Sequence, residues 1–457
     1  MCGITGFYIN NVSNDINSFE SSKDNLSLAT KIISHRGPDD IGMFIDENSF
    51  VGLGHTRLSI QDLSQLGHQP MSSKDAEVTI VFNGEIYNFK DLREELIFDG
   101  ESFKSNTDTE VILKLYLRYG EEMLSKLNGI FALAIWDQRT KLLFVARDNF
   151  GVKPLYYFEN SNSFFFSSEI KSLVEYLNDD DLALDHKSLD RYLSFLWCPG
   201  NGTPFSKIKK INPGEFFIVK GGSIKKKTTW YSLPSHKNKS KAKLPNLINK
   251  TTFFLRQAVH RQMISDVPVG AFLSGGLDSS SIVAFAKEID PKISCFTIKS
   301  KDGPERGETD DLPYALKAAK FLDVPLEVIS IDSKKMSDDL ETMIYQLDEP
   351  LADPAALNVL YISEIAKRNN IKVMLSGSGG DDIFTGYRRH NAINAQKYLK
   401  KIPINIRKAL EEYSNRLNTN LPIFRKAAKF FNGFSLDGDE RLVNYFKWSQ
   451  RDDLFAL

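Results

Sequence analysis

The sequence predicts two unlike halves, a mixed α and β domain followed by a parallel α/β domain, with a lysine-rich connection between them. Three observations predict this division. At 457 residues the chain exceeds one ordinary core, since domains run to roughly 100 to 200 residues. Residues 1–215 read as short strands with a few helices, whereas residues 248–457 repeat apolar strand, loop and helix, the pattern of a parallel sheet that binds ligands beyond the carboxyl ends of its strands. Between them, 216–247 carries Gly221-Gly222 and many lysines with few apolar residues, which reads as a solvated linker.

In the first half, Val51 to Ile60 and Val78 to Phe82 have strand composition, and Gly129 to Arg147 reads as two strands turning at Asp137-Gln138-Arg139-Thr140. Pro154 to Phe158 and Phe164 to Ser167 flank the turn Asn160-Ser161-Asn162 in a second hairpin. Thr109 to Leu127 has apolar residues at helical spacing behind a capping Asn106-Thr107-Asp108. In the second half, Val269 to Leu273 leads into the helical Ser280 to Lys287, and Ile293 to Ile298 into Tyr314 to Phe321. The alternation continues through the strand Leu326 to Ile329, the helices Met336 to Tyr345 and Leu357 to Arg368, and the strand Ile371 to Leu375.

Composition excludes several function classes. Apolar residues at 42% and charged residues at 26% are ordinary for a soluble globular protein. The longest apolar runs, Gly129 to Trp136 and Val267 to Leu273, fall far short of the roughly 20 residues that span a bilayer. The start of the chain has no secretory pattern, which predicts a cytoplasmic location. A formal net charge of -1 gives no reason to expect nucleic acid. Three widely spaced cysteines, Cys2, Cys198 and Cys295, form neither a disulfide framework nor a zinc site, and the last two read as small buried apolar residues. A homodimer is compatible with this composition and is not specified by it.

Cys2 stands out by position. Removal of Met1 would leave it with a free α-amine, whose pKa of roughly 7.7 to 8.0 suits it to take the thiol proton through a water. Four segments follow in order: His35-Arg36-Gly37-Pro38-Asp39-Asp40, Gly54-His55-Thr56-Arg57-Leu58-Ser59-Ile60, Asn83-Gly84-Glu85-Ile86-Tyr87-Asn88 and Ser105-Asn106-Thr107-Asp108-Thr109-Glu110. With Cys2 they resemble the class II glutamine amidotransferases. Arg147-Asp148-Asn149-Phe150-Gly151-Val152-Lys153-Pro154 and Ser167-Ser168-Glu169-Ile170-Lys171 narrow the resemblance to the asparagine synthetase family. The resemblance implies an N-terminal-nucleophile fold, an αββα sandwich of two stacked antiparallel sheets between helices. It also implies that Cys2 attacks the glutamine amide to form a thioester, with the Asn83 side chain and the Gly84 N–H as oxyanion donors. Arg57 would clamp the glutamine carboxylate, Asp108 and Glu85 its ammonium, and Leu58, Ser59 and Ile60 would complete the subsite.

Ser274-Gly275-Gly276-Leu277-Asp278-Ser279-Ser280 follows a strand and opens a helix, a setting in which backbone N–H groups can hold phosphate. It has no Walker lysine and resembles instead the pyrophosphate loop of enzymes that split ATP between the α and β phosphates. Leu347-Asp348-Glu349-Pro350-Leu351-Ala352-Asp353-Pro354 and the run from Val373 to Tyr387 resemble the synthetase half of the same family, an ATP-pyrophosphatase domain. The resemblance places ATP on Leu273, Ser274, Gly275, Gly276, Asp278, Ser279, Ile298, Ser376 and Gly377, and Mg²⁺ with pyrophosphate on Asp278 and Asp381. The implied reaction adds glutamine-derived ammonia to an aspartate activated as an acyl-adenylate. Ammonia must cross unprotonated, which calls for a passage that excludes water, lined by residues from both domains.

Four departures qualify that expectation. Ser378 stands where the family usually has an acid, Asp382 where it has glutamate, and Asp310-Asp311-Leu312-Pro313-Tyr314-Ala315 keeps only the outline of a further segment. The chain also stops at Leu457, before a basic helical region found in relatives, so a fragment or an impaired activity is expected. Together with the cationic Arg388-Arg389-His390, the first two motivate a different acceptor, such as a uronic acid in a surface polysaccharide. The early stop motivates a third reading, a non-synthetic glutaminase or regulatory protein. Lactam-forming relatives have lost the second-position cysteine, so Cys2 argues against ring closure.

Overall fold

The computed structural model describes residues 2–10, 16–234, 240–302, 310–353, 355–399, 401–417 and 421–449. Pro354, the side chain of Arg388 and Leu457 lie outside the described residues. The strands are β1 Gly3–Ile9, β2 Asp40–Asp46, β3 Val51–Arg57, β4 Met71–Ser72, β5 Val78–Ile86, β6 Gly129–Asp137, β7 Leu142–Arg147 and β8 Tyr156–Glu159. They continue with β9 Ser163–Ser167, β10 Lys209–Lys210, β11 Glu215–Lys220, β12 Ser223–Thr229, β13 Val269–Phe272, β14 Ser294–Ser300, β15 Leu326–Ile331 and β16 Val373–Leu375. Two antiparallel sheets, ordered β10-β8-β9-β1-β3-β2 and β12-β11-β7-β6-β5-β4, precede a parallel sheet ordered β15-β14-β13-β16.

Strand parity explains the layering. In β6, Ala132, Ala134 and Trp136 pack with Ile4 of β1 and Leu53 of β3 between the sheets, while Phe131, Leu133 and Ile135 face the other way. That other face meets the helices Phe89–Phe98 and Asp108–Tyr119. On the opposite side, Phe7 and Ile9 of β1 pack on the helix Ile16–Ile32 through Phe19 and Leu26. The result is the four-layer αββα sandwich. Because both faces of each sheet are buried, these strands read as continuous apolar runs without alternation.

Two expected helices differ in extent. The helix expected to reach Leu127 stops at Tyr119, where Gly120 takes φ +56 and the chain continues as a tighter 3-10 turn to Lys126. Its cap is Thr107, whose side chain accepts the Glu110 N–H at 3.2 Å. The helix expected from Met336 to Tyr345 is two, Ser333–Asp338 and Leu340–Leu347, divided at the weak helix formers Asp338 and Asp339.

The expected linker at 216–247 is corrected more strongly. Its first part is the β11–β12 hairpin, turned by Gly221 and Gly222 at φ +56 and +70. Lys225, Lys226 and Lys227 are exposed on β12, the edge of the sheet, where lysine discourages pairing with another chain. The helix Leu244–Gln262 then begins inside the same span. Among the described residues no helix is long and apolar enough to cross a membrane, and Cys198 and Cys295 are buried and unpaired.

The loop after β7 hangs on one carboxylate. Asp148 is 0% exposed and accepts the main-chain N–H groups of Phe131 at 3.2 Å and of Phe150, Val152 and Lys153 at 3.0 Å. Asp148→Ala would leave all four without this acceptor, at a cost of about 3 kcal/mol or more. A thermal melt should show a clear drop in Tm.

Candidate active site

The space between the two antiparallel sheets turns polar at one end. Along β1 the inward series runs from Ile4 back to Cys2; along β3 it runs Val51, Leu53, His55, Arg57; along β5 it runs Val81, Asn83, Glu85. Parity thus gathers Cys2, Arg57, Asn83 and Glu85 at one mouth of the sandwich. A cavity of about 30 Å³ there is walled by Cys2, Arg57, Leu58, Ile60, Gly84, Glu85 and Asp108, all expected at a glutamine site. Ser59 and Asn83 lie outside its wall. Ser59 instead donates its N–H to Asp39 at 2.7 Å.

The half-buried Cys2 thiol accepts the Leu58 N–H at 3.4 Å, and its carbonyl accepts from Arg36 Nε at 3.0 Å. Burial pushes this thiol up, while the positive amino end of the chain and the Leu58 N–H pull it down. Gly84 is opposite Phe131, whose N–H and carbonyl both bond to Asp148. This is therefore a non-hydrogen-bonded pair, and the Gly84 N–H points away from β6 toward the cleft. Any Cβ at Gly84 would come within 2.3 Å of the Ile130 carbonyl. Asn83 is 0% exposed, and neither its Oδ1 nor its Nδ2 has a partner.

Arg57 is committed to the wall. Its guanidinium donates to the carbonyls of Gln61, Asp62 and Ser64, the last at 2.9 Å. The cavity has room for about two waters, so binding an amino acid requires Arg57 and the 61–67 loop to give way. His55 is neutral, its pKa held down to about 3 by burial. Its Nε2–H therefore donates to the Phe82 carbonyl at 3.1 Å, which makes it a structural member of the motif.

Sequence reasoning passed over three contributors. Lys153 is 7% exposed, and its ammonium, pushed down by burial and by Arg36, lies within electrostatic reach of Glu85 and Cys2. Gln61 donates its amide to Glu85, and Gln69 accepts the Phe82 N–H at 2.7 Å. Lys153 lay in a quoted motif, but nothing in its spacing announced where its side chain ends.

In the second half, the loops after β13 and β16 meet. Gly275 has φ +80 and packs on the main chain of Tyr314, 2.3 Å from where a Cβ would sit. Gly276 caps the helix Leu277–Ala286, and the Ser274 and Ser279 hydroxyls bond at 3.0 Å. Gly377 and Gly380 lie against Asp278, where added Cβ atoms would fall 3.1 Å from its Cβ and 2.2 Å from its Oδ2. Asp381 lies in the first turn of the helix Gly380–Phe384. A cavity of about 290 Å³ beside these loops is lined by Leu273, Ser274 and Ile298, with Phe272, Thr297 and Asn358 added. Ser376 is exposed and bonds Ser378, hydroxyl to hydroxyl, at 2.8 Å.

Asp108 is buried and Glu85 half-buried, and both titrate above the usual carboxylate range. Burial pushes Asp108 to about 6; burial and then Asp108 push Glu85 up as well. The folded protein thus keeps protons that the unfolded chain releases, so stability falls as pH rises from the ordinary carboxylate range through about 6. Asp108→Asn should raise Tm at pH 7 and flatten its decline between pH 4 and 7, measured by thermal melts across that range.

Comparison with known proteins agrees across both halves. The family model described as glutamine amidotransferase domain matches residues 1–231, and that described as asparagine synthase matches residues 252–446. Asparagine synthetase (glutamine-hydrolyzing) 1 of Bacillus subtilis is 36% identical over 413 residues, 90% of this chain and 62% of that protein. A putative asparagine synthetase (glutamine-hydrolyzing) 2 of Methanocaldococcus jannaschii is 34% identical over 88% of this chain and 79% of its own length. The amidase chry2 of Gibberella zeae is 30% identical over 80% of this chain and 55% of that protein. The chain spans about three fifths of the length of the Bacillus relative. On the two family matches and these identities, the chain belongs to the glutamine-hydrolysing asparagine synthetase family.

Proposed function

We propose that the protein makes asparagine from aspartate, ATP and glutamine, releasing glutamate, AMP and diphosphate. One observation carries the glutaminase half: Asn83, fully buried with both side-chain polar atoms unpartnered. Such a group costs roughly 1 to 3 kcal/mol unless something uses it, and a donor beside the Gly84 N–H suits the oxyanion of a tetrahedral intermediate. Cys2, deprotonated by its own α-amine, attacks the glutamine amide, and ammonia leaves as the thioester forms. Asp108 and Glu85 hold the ammonium of the substrate, which relieves their mutual repulsion, and Arg57 takes its carboxylate.

In the second half, ATP occupies the cavity at Leu273 and Ile298, with its phosphates over Ser274 to Ser279. Asp278 and Asp381 would hold Mg²⁺, which accepts a few carboxylates together with phosphate oxygens. The ion would offset charge on the pyrophosphate that leaves when aspartate becomes its acyl-adenylate.

A second reading keeps the chemistry and changes the acceptor to another carboxylate, such as a uronic acid. Ser378, exposed at the mouth of the ATP loops in place of an acid, favours it. A panel of carboxylates assayed for glutamine-dependent AMP formation separates the two. Asparagine at a normal rate supports the first reading, an amidated sugar without asparagine supports the second, and glutamine hydrolysis without AMP sinks both. Cys2→Ala should abolish glutamine-dependent product while leaving ammonia-dependent product intact. Asn83→Ala should lower kcat for glutamine hydrolysis by ~10²- to 10³-fold, read by glutamate release.

A further inference from the structure

A continuous polar chain runs from the Cys2 main chain to the 348–353 loop of the second domain, and it passes through a residue the mechanism leaves unused. Glu169 is 4% exposed and gathers Arg36 Nη1 at 2.8 Å, Lys171 Nζ at 2.8 Å and His35 Nε2 at 3.0 Å. Burial alone would raise its carboxyl, but these three partners hold it down at about 2. On its other side Arg36 is fixed to the Cys2 carbonyl at 3.0 Å. Main-chain position at the nucleophile is therefore set by a guanidinium that Glu169 orients.

The chain continues into the second domain. Immediately after Glu169 begins the helix Ile170–Val174, which has no side-chain cap from its own N-cap residue. Asp348 supplies one across the domain boundary, accepting the N–H groups of Ile170 and of Lys171, the latter at 2.9 Å. Lys171 Nζ also reaches the Tyr345 carbonyl at 3.0 Å. Asp348 has φ +65 and ψ -52, a backbone state that is costly for any residue but glycine and persists only where its surroundings impose it. Next to it, Glu349 accepts from Tyr156 Oη at 3.0 Å and from Lys210 Nζ at 2.7 Å, and the Ala352 N–H donates to the Leu196 carbonyl at 2.9 Å. The far side of this loop, with Leu347, Pro350 and Leu351, walls a cavity of about 360 Å³ that also takes in Leu340 and Ile344. A strained loop with open space behind it and its hydrogen bonds in the other domain has a second arrangement within reach.

We propose that Glu169 is a positioning residue that ties the orientation of Cys2 to the conformation of the 348–353 loop, so that a shift of that loop alters the rate of glutamine hydrolysis. This rests on the glutaminase reading of the cleft. Neither Glu169 nor Asp348 touches the reacting atoms. Their effect should fall on kcat, while KM follows the separate groups Arg57, Glu85 and Asp108.

The full chain, with Glu169→Gln or Asp348→Asn, is compared with the unmodified protein for glutamine hydrolysis and for alkylation of Cys2 by iodoacetamide, followed by intact mass. In each variant kcat is expected to fall ~3- to 30-fold with KM within about twofold, and Cys2 labelling to shift by about threefold or more. Unchanged kcat and unchanged labelling in Asp348→Asn overturn the relay whatever Glu169→Gln does, because a loss at Glu169 alone reports only local support. Should Glu169→Gln fail to fold, Asp348→Asn decides alone from the other domain. If the unmodified protein hydrolyses no glutamine, the reading of the cleft fails, and the labelling of Cys2 still tests the relay.

Discussion

Two sheets that bury both of their faces leave no solvent for a polar side chain between them, and the rest of the first domain follows from that constraint. Apolar residues fill the inter-sheet space along most of β1, β3 and β5, and the same parity then delivers Cys2, Arg57, Asn83 and Glu85 at one end. Each polar group there must be matched or left costly. His55 is matched by the Phe82 carbonyl and Arg57 by the carbonyls of the 61–64 loop, whereas Asn83 is not matched at all. The unmatched groups mark where a ligand has most to offer.

Much of this was legible in the sequence, because parity and motif order are local properties. The strands at Val78, Gly129 and Val269 and the turn at Gly275-Gly276 follow from apolar runs and glycines read directly. What stayed hidden depends on pairing. Lys225, Lys226 and Lys227 look like linker residues unless β12 is known to be an edge strand. Lys153 sits two residues from the half-buried Gly151 turn, yet its side chain ends near Cys2, a direction set by Asp148 gathering the loop around it. Two of the three partners of Glu169, His35 and Arg36, come from a segment far away in sequence, so no spacing rule points to them.

The domain boundary carries more charge pairing than its sequence suggests. Lys372 of the second domain bonds Asp39 at 2.6 Å, and Asp266 accepts the Asp62 N–H at 2.8 Å. Both first-domain partners adjoin the cleft, since Asp39 holds Ser59 and Asp62 offers its carbonyl to Arg57. Asp348 and Glu349 grip the opposite side, beside Ile170 and Tyr156. A cleft braced on two sides by another domain is poorly described as an independent module, because hydrogen bonds on both sides tie its wall to that domain.

The same logic shows that the fold makes no structural demand on position 378. Contact between the β13 and β16 loops is made by Gly377 and Gly380 lying against Asp278, so the geometry of the phosphate region does not depend on the residue between them. Ser378 is exposed, and its hydroxyl meets only the neighbouring Ser376 hydroxyl at 2.8 Å. Exchanging an acid for serine there removes no packing and leaves no buried group unsatisfied. A change without structural cost can be retained or lost according to chemistry alone. Under the proposed function, residue 378 would be a place where acceptor preference changes while the β13 and β16 loops stay as they are.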